Sequence, residues 1–458
     1  MMEFRIQPAA STVALAGLLS LTFAIFTPPF QFNDEQGHFS RAYQVSVGEF
    51  RSLRRPSFPV DLLAFLAQYP QGGTTEQTRL LRSRTAVSEP PVPGYAPPVW
   101  PLSAVDQSLS VYQVYGSLLY VPAASGILVA RAIGLPQIGW LYAARICNVL
   151  LFVCGLLVAF RLGADYRLML ALVALLPMTV AQCGSVSGDP VTIVVSLTGF
   201  SMVLHTRTHH VTSKYLLVLI LLVPLWVICK GNLWAPLLFL IIPAWHFGKR
   251  WKRCVYVGGA VLLALVTAVL WRHTSADGFA AWSDGFKAQG VDFSANTKSL
   301  LHHPLTIFLD VSTQTTGVSA NRSVSRLAGF RARTKELANQ FVGGVGWDFV
   351  GAPHRYLYLL LMFVVAMVVQ IPKPLSASEA AVLALVFVAG FLQCFLVLFI
   401  ADGAYENGRY FFHGGGLQGR YFIPFCLAAL LALNIKGGTV SQDRILPAVM
   451  VASSVLCL

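Results

Sequence analysis

Long apolar runs alternate with short polar breaks over most of the chain. The first covers residues 9–30; later ones lie near 138–160, 167–183, 189–206, 214–229, 232–247, 255–271, 354–371, 378–401, 421–435 and 445–458. A helix needs about 20 apolar residues to cross a bilayer, and the shorter runs suit tilted or buried spans. Two long polar stretches, 31–111 and 272–353, and a shorter one, 402–420, interrupt the rhythm. The pattern predicts an all-α polytopic membrane protein, a single domain over 1–458 with eleven transmembrane helices. Short helices over 35–49 and 59–68 are expected at the membrane surface, and the proline-rich Ser88–Pro101 is expected to be extended. The first run is longer than a signal-peptide core and lacks a small-x-small cleavage site after it, so it reads as a retained span.

Composition agrees. Hydrophobic residues make up 55% of the chain and charged residues 12%, against about 25% charged in ordinary soluble domains. The net charge of +13 points to cytoplasmic loops and anionic lipid headgroups rather than nucleic acid. Basic residues cluster in Lys249, Arg250, Lys252 and Arg253, and flank other breaks as Arg161 with Arg167, Arg207 with Lys214, and Lys436 with Arg444. The positive-inside rule places these in the cytoplasm. The amino terminus is then inside, and 31–111, 272–353 and 402–420 are outside, as are the short turns 183–189 and 229–232. In this count 112–134 is a juxtamembrane element, not a span. None of the eight cysteines falls in the two long loops, which argues against a disulfide framework or a cysteine-ligated zinc and for apolar packing.

Candidate chemistry gathers where the first run ends. Asp34 and Glu35 are adjacent, and His38 and Arg41 follow within two turns. Two readings stand side by side. Asn33 or Asp34 can cap a helix whose positive end suits acidic groups, or the cluster is a site. Asp189 likewise has a capping reading, with Pro190 behind it. Arg145 lies two turns inside an apolar run. Facing lipid there would cost roughly 2.5–3.5 kcal/mol, so it must face protein, a cavity or an acid, either as a salt bridge or as a substrate contact. Arg420, beside Tyr421, either snorkels to headgroups or grips a phosphate; Arg409 and Lys230 are nearby cationic candidates. His302, His303 and His413 lack a third ligand at useful spacing.

The stretch P-P-F-Q-F-N-D-E-Q-G-H-F-S-R-A-Y (28–43) resembles the P-D-E-x-x-H-F-x-R-A-Y signature of a bacterial membrane family catalogued as a domain of unknown function. Three later stretches are similar to that family's pattern: L-L-P-M-T-V-A-Q-C-G-S-V-S-G-D-P (175–190), F-V-G-G-V-G-W-D (341–348) and L-Q-G-R-Y-F-I-P (417–424). The family in turn resembles the GT-C membrane glycosyltransferases. There are departures. Asn33 stands where the family has proline, and Val111–Tyr120 keeps its tyrosines without the prolines and histidine of a His-x-Pro-Pro-x-x-Tyr stretch.

The resemblance implies a GT-C-like bundle with external juxtamembrane helices in a bacterial cytoplasmic membrane, its site facing outward. It implies inverting transfer of a sugar from a polyprenyl phosphate to a cell-envelope glycan or lipid-linked acceptor. Asp34 is the first choice for the base and Glu35 the second. His38, Arg41, Arg145, Asp189, Lys230, Arg409, Arg420 and Tyr421 are the expected substrate contacts. A divalent cation between the lipid phosphate and Asp34 or Glu35 is compatible with this chemistry, not demanded by it. A transporter or flippase of lipid-linked saccharides, and a non-catalytic scaffold, are the competing readings.

Overall fold

The computed structural model describes residues 8–32, 34–53, 58–69, 111–209, 212–229, 235–245, 247, 249–288, 291–302, 338, 341–342, 355–406, 409–412, 418–434 and 438–457. The proline-rich Ser88–Pro101 and most of 272–353 lie outside them.

In chain order the helices are α1 (Pro8–Phe26), α2 (Glu35–Ser46), α3 (Val60–Gln68), α4 (Val121–Ala132), α5 (Gln137–Leu162), α6 (Arg167–Ala174), α7 (Pro177–Cys183), α8 (Asp189–Thr208) and α9 (Ser213–Leu221). They continue as α10 (Val223–Ile228), α11 (Ile241–Ala244), α12 (Arg250–Thr274), α13 (Ala276–Ala288), α14 (Phe293–His302), α15 (Arg355–Val368), α16 (Ala377–Asp402), α17 (Ile423–Ala432) and α18 (Gln442–Cys457). Single turns of 3-10 helix lie at Val111–Val114, Ser117–Tyr120 and Gly419–Phe422. A short antiparallel ribbon, β1 (Gly403–Glu406) and β2 (Arg409–Phe412), is the β-structure among the described residues.

The chain is thus helical with membrane-spanning character. Among the described residues four helices are long and apolar enough to cross a bilayer: Ala9–Phe26 of α1, α5, α12, and Ala377–Cys394 of α16. The α6–α7 pair makes a fifth if its 80° bend lies within one span. Shorter apolar helices account for much of the remaining pattern. Proline explains much of the difference from the eleven spans expected. Leu176, before Pro177, takes an extended ψ of 127°, as the clash with a following proline ring favours, and the run 167–183 breaks there. Pro224 stands one residue inside α10, and Pro236 and Pro243 fall in the fragments Ala235–Leu240 and α11. α1 ends at Phe26, short of the expected residue 30, because Pro28 and Pro29 cannot donate to a helix ladder. α4, at 12 residues, is only about 18 Å long, well short of a ~30 Å hydrocarbon core.

Residues 168–193, from α6 into α8, are buried without exception, and the other helices wrap this centre. α4 crosses α5 so closely that a Cβ on Gly126 would overlap the Ala143 carbonyl.

The polar groups sort to two ends. At one, Arg207 forms a two-point ion pair with Glu379, Nε–Oε1 2.6 Å and Nη2–Oε2 2.9 Å, and bonds the Tyr166 hydroxyl. Arg167 meets Asp443 at 2.7 Å at the same end, where Gln442 bonds the Asp165 carbonyl. The basic start of α12 lies there too, because its 25 residues run about 37 Å to Thr274 at the opposite end, where Ser52 bonds the Thr274 carbonyl. That opposite end collects the end of α1, the starts of α2, α5 and α8, and the Gly419–Phe422 turn.

Candidate active site at the α2 end of the bundle

Asp34 and Glu35 diverge at the start of α2. Asp34 has left-handed φ of 64°, and its side chain makes no capping hydrogen bond. It points toward Arg420, whose Nη2 donates to Asp34 Oδ2 at 2.7 Å. The Tyr112 hydroxyl donates to Oδ1 at 3.2 Å. The Asp34 side chain keeps 20% of its surface exposed, while that of Arg420 is 2% exposed. The Arg420 Nε also lies 3.7 Å from Asp189 Oδ2. One guanidinium therefore stands between two carboxylates drawn from residues far apart in sequence. Asp189 is the first residue of α8, behind Gly188 at the cap position, so the capping reading describes neither acid. Arg420 also lies over the Tyr421 ring, 5.6 Å from its centroid.

Glu35 turns the other way, into the bundle, and is fully buried. Arg145 grips it at two points, Nε–Oε1 2.8 Å and Nη2–Oε2 2.6 Å. The same guanidinium donates to the carbonyls of Ala24 (3.0 Å), Thr27 (2.6 Å) and Pro28 (3.1 Å). All five of its N–H groups are thereby used, which only the planar fork of arginine can do. Glu35 Oε1 also accepts the Val186 N–H at 3.0 Å. Of the two readings for Arg145, the geometry displays the salt bridge.

Arg41 is committed through its two terminal nitrogens. Buried on α2, it donates to the carbonyls of Glu49, Phe50 and Arg51 and to the side chains of Gln44, Gln113 and Ser117. It gathers the loop after α2 onto the 111–120 segment.

That segment forms the aromatic wall of the site. His38 Nδ1 is 2.7 Å from the Tyr120 hydroxyl, and its ring faces those of Tyr112, Tyr115 and Tyr120 at 5.1, 5.4 and 5.8 Å. Tyr112 reaches Asp34 across Gly37, where any Cβ would overlap its ring. Burial pushes the Tyr112 phenol well above its ordinary value, and the charge of Asp34 pushes it further. Tyr112 and Tyr115 were not among the residues expected from sequence. The signal was a tyrosine recurring at 112, 115 and 120 in a segment whose prolines and histidine are absent. Asn148 was missed as well. It stands one turn beyond Arg145 on α5 and donates to the Ser185 carbonyl at 2.8 Å.

The structure therefore brings together Asp34, His38, Asp189, Arg420 and Tyr421, and sets Glu35, Arg145 and Arg41 as supports behind them. Arg409 lies in β2, paired in register with Glu406. Lys230 lies outside the described residues, as do His303 and His413. Among the described residues no group of three or more His, Cys, Asp or Glu side chains could hold a metal ion. Between Asp34 and Asp189 the positive charge is that of Arg420.

A family model described as "Predicted membrane protein (DUF2142)" matches residues 18–429. No curated protein matches the chain, and no solved structure does.

Proposed function

The chain belongs to this family of predicted membrane proteins, and from that premise we propose that it is a glycosyltransferase of the GT-C kind, moving a sugar from a polyprenyl phosphate to an envelope glycan or lipid-linked acceptor. The observation that carries the reading is the Asp34–Arg420 pair. A partly exposed carboxylate is fixed 2.7 Å from a buried guanidinium where apolar helices end, the depth at which a lipid phosphate sits.

In the proposed step an acceptor hydroxyl gives its proton to Asp34 as its oxygen bonds the anomeric carbon. The bond from that carbon to the phosphate oxygen breaks, and the lipid phosphate leaves with the electron pair. Only one carboxylate is required for inversion, unlike the paired carboxylates of glycosidases. Positive charge at the departing phosphate is the other requirement, and Arg420 is its nearest source. Arg409 and Lys230 belong to the same proposal as further cations, and His38, Asp189 and Tyr421 as substrate contacts. Glu35, Arg145 and Arg41 support the site from within.

The site faces outward from a bacterial cytoplasmic membrane in this reading, with eleven passes. The supporting observation is the sorting of charge. The basic start of α12 and the Arg167 and Arg207 networks share one end, and Asp34, Asp189 and Arg420 the other, so the positive-inside rule puts the site outside.

The test is release and transfer of sugar from a polyprenyl-phosphate donor by the purified chain in lipid vesicles. Transfer that depends on Asp34 supports the reading. Movement of intact lipid-linked saccharide without cleavage would replace it with a transporter, and neither activity would leave a scaffold.

A further inference from the structure

Two loops carry the acids that flank Arg420. Asp34 lies in the turn from α1 to α2, and Asp189 follows the turn from α7 to α8. Both loops hang from one face of α5, through Arg145 and Asn148, three residues apart.

The first loop is closed from both sides. Arg145 holds the carbonyls of Ala24, Thr27 and Pro28 at its entry and the Glu35 carboxylate at its exit. Between those points Phe30 (φ 57°) and Asp34 (φ 64°) both take left-handed backbone, which is rare for a bulky residue such as Phe and less so for Asp. The second loop is held by Asn148, through the Ser185 carbonyl, and by Glu35, through the Val186 N–H. Ser185 Oγ donates to the Gln182 carbonyl and lies 3.2 Å from Ser187 Oγ, which accepts the Asp189 N–H. Glu35 is therefore adjacent in sequence to one acid and hydrogen-bonded to the loop that carries the other.

We propose that Glu35, Arg145 and Asn148 form a positioning clip that sets the separation of Asp34 and Asp189 across Arg420. The role rests on reading that end of the bundle as the transfer site. Glu35 has no exposed surface and both its oxygens are engaged, so the clip acts through backbone placement and touches no substrate.

The experiment uses the full chain in nanodiscs, with Glu35→Gln, Glu35→Asp and Asn148→Leu. Hydrogen exchange is followed in two segments, 27–35 and 184–189. Glu35→Gln should speed exchange in both together, by about tenfold or more, although the mutation lies in only one loop. Glu35→Asp keeps the charge and should restore part of the protection. Asn148→Leu carries no charge change, so it remains informative where Glu35→Gln inserts poorly; it should loosen 184–189 and pass part of the effect to 27–35. In the transfer assay the turnover number should fall in all three while the donor KM stays within about twofold, since an interaction lost only at the reacting geometry lowers kcat alone.

Exchange confined to the mutated loop would overturn the clip. So would wild-type protection in both loops combined with abolished transfer in Glu35→Gln, which would make Glu35 a chemical participant. Where the wild type transfers no sugar at all, the exchange result still decides the clip, and it is the transfer reading that falls.

Discussion

Arg420 Nη2 donates to Asp34 Oδ2 at 2.7 Å across 386 residues of sequence. The contact joins the turn after the first span to the 3-10 turn that opens the Ile423–Ala432 helix. It depends on two local facts. Asp34 takes a left-handed backbone conformation, which turns its side chain away from the helix it precedes. Gly37 leaves room for the Tyr112 ring, whose hydroxyl holds the second Asp34 oxygen.

Gly37→Ala is expected to destabilise the protein, against the usual sign for a helical glycine. Alanine normally gains ~0.8–1.0 kcal/mol over glycine inside a helix. Here the new methyl overlaps the Tyr112 ring, and overpacking of that kind costs about 1–3 kcal/mol. A lower melting temperature in detergent, together with loss of transfer, is the expected result. A melting temperature raised above wild type would mean that Tyr112 is not held over Gly37.

Arg145→Lys should behave as a severe change despite keeping the charge. Lysine has three donors against the five that Arg145 uses, and it cannot meet both Glu35 oxygens while reaching three carbonyls. Each buried acceptor left without a donor costs about 1–3 kcal/mol. Thermal unfolding of Arg145→Lys beside a double variant, Glu35→Gln with Arg145→Met, measures this. The double variant removes both charges but leaves the Ala24, Thr27 and Pro28 carbonyls without the donor that Arg145 supplies, so it should be no more stable than Arg145→Lys.

Much of this was legible in the sequence. Apolar runs and proline positions give the helices, and the crowding of Asp34, Glu35, His38 and Arg41 gives the site's location. The division of labour was not legible. Adjacent acids look alike in sequence, and only the left-handed backbone at Asp34 sends one to Arg420 and the other to Arg145. Tyr112 and Tyr115 were hidden for a related reason: two single 3-10 turns have no periodicity to show which side faces inward. The spans also came out broken where proline interrupts an apolar run, as at Pro177, because hydropathy records composition and not hydrogen-bonding capacity.

Topology gives a direct measurement. With the exposed Cys154 and Cys254 and the half-buried Cys147 and Cys457 replaced by serine, a cysteine introduced at Arg51 should react with a membrane-impermeant maleimide added outside intact cells. One at Lys252 should react only after lysis. The opposite pattern would turn the site to the cytoplasm.

Tyr112 gives an alkaline signature. Burial and the charge of Asp34 raise its pKa in the folded protein above the ordinary ~10 of an unfolded chain. A raised value means that the stability it contributes is complete below pH ~10 and falls as pH climbs from there toward the folded value. Tyr112→Phe has no proton to lose. It should be less stable than wild type at pH 7 by about 0.5–1.5 kcal/mol, one hydrogen bond, yet lose less stability between pH 10 and 11. Melting curves at both ends of the range decide this; parallel pH slopes in the two proteins would remove Tyr112 from the account.

Asp34→Asn tests the chemistry itself. Asparagine matches aspartate in size and tolerates left-handed backbone nearly as well, so the α2 turn should survive. Its carbonyl oxygen can still accept from Arg420 or Tyr112, but it cannot take up a proton at neutral pH. Transfer should drop by about 10²–10⁴-fold, the usual effect of removing a general base, while expression is kept and melting temperature falls only modestly, because Asp189 still faces the Arg420 guanidinium. Asp34→Gly separates backbone from side chain. It relieves the left-handed conformation but removes the carboxylate that pairs with the buried Arg420, so it should be at least as inactive and less stable than Asp34→Asn. Because Asp34 makes no capping hydrogen bond, the stability lost in either variant should come from the Arg420 pair and not from a helix cap. Wild-type turnover in Asp34→Asn would end the case for a carboxylate base at this position and leave the Asp34–Arg420 pair a purely architectural tie.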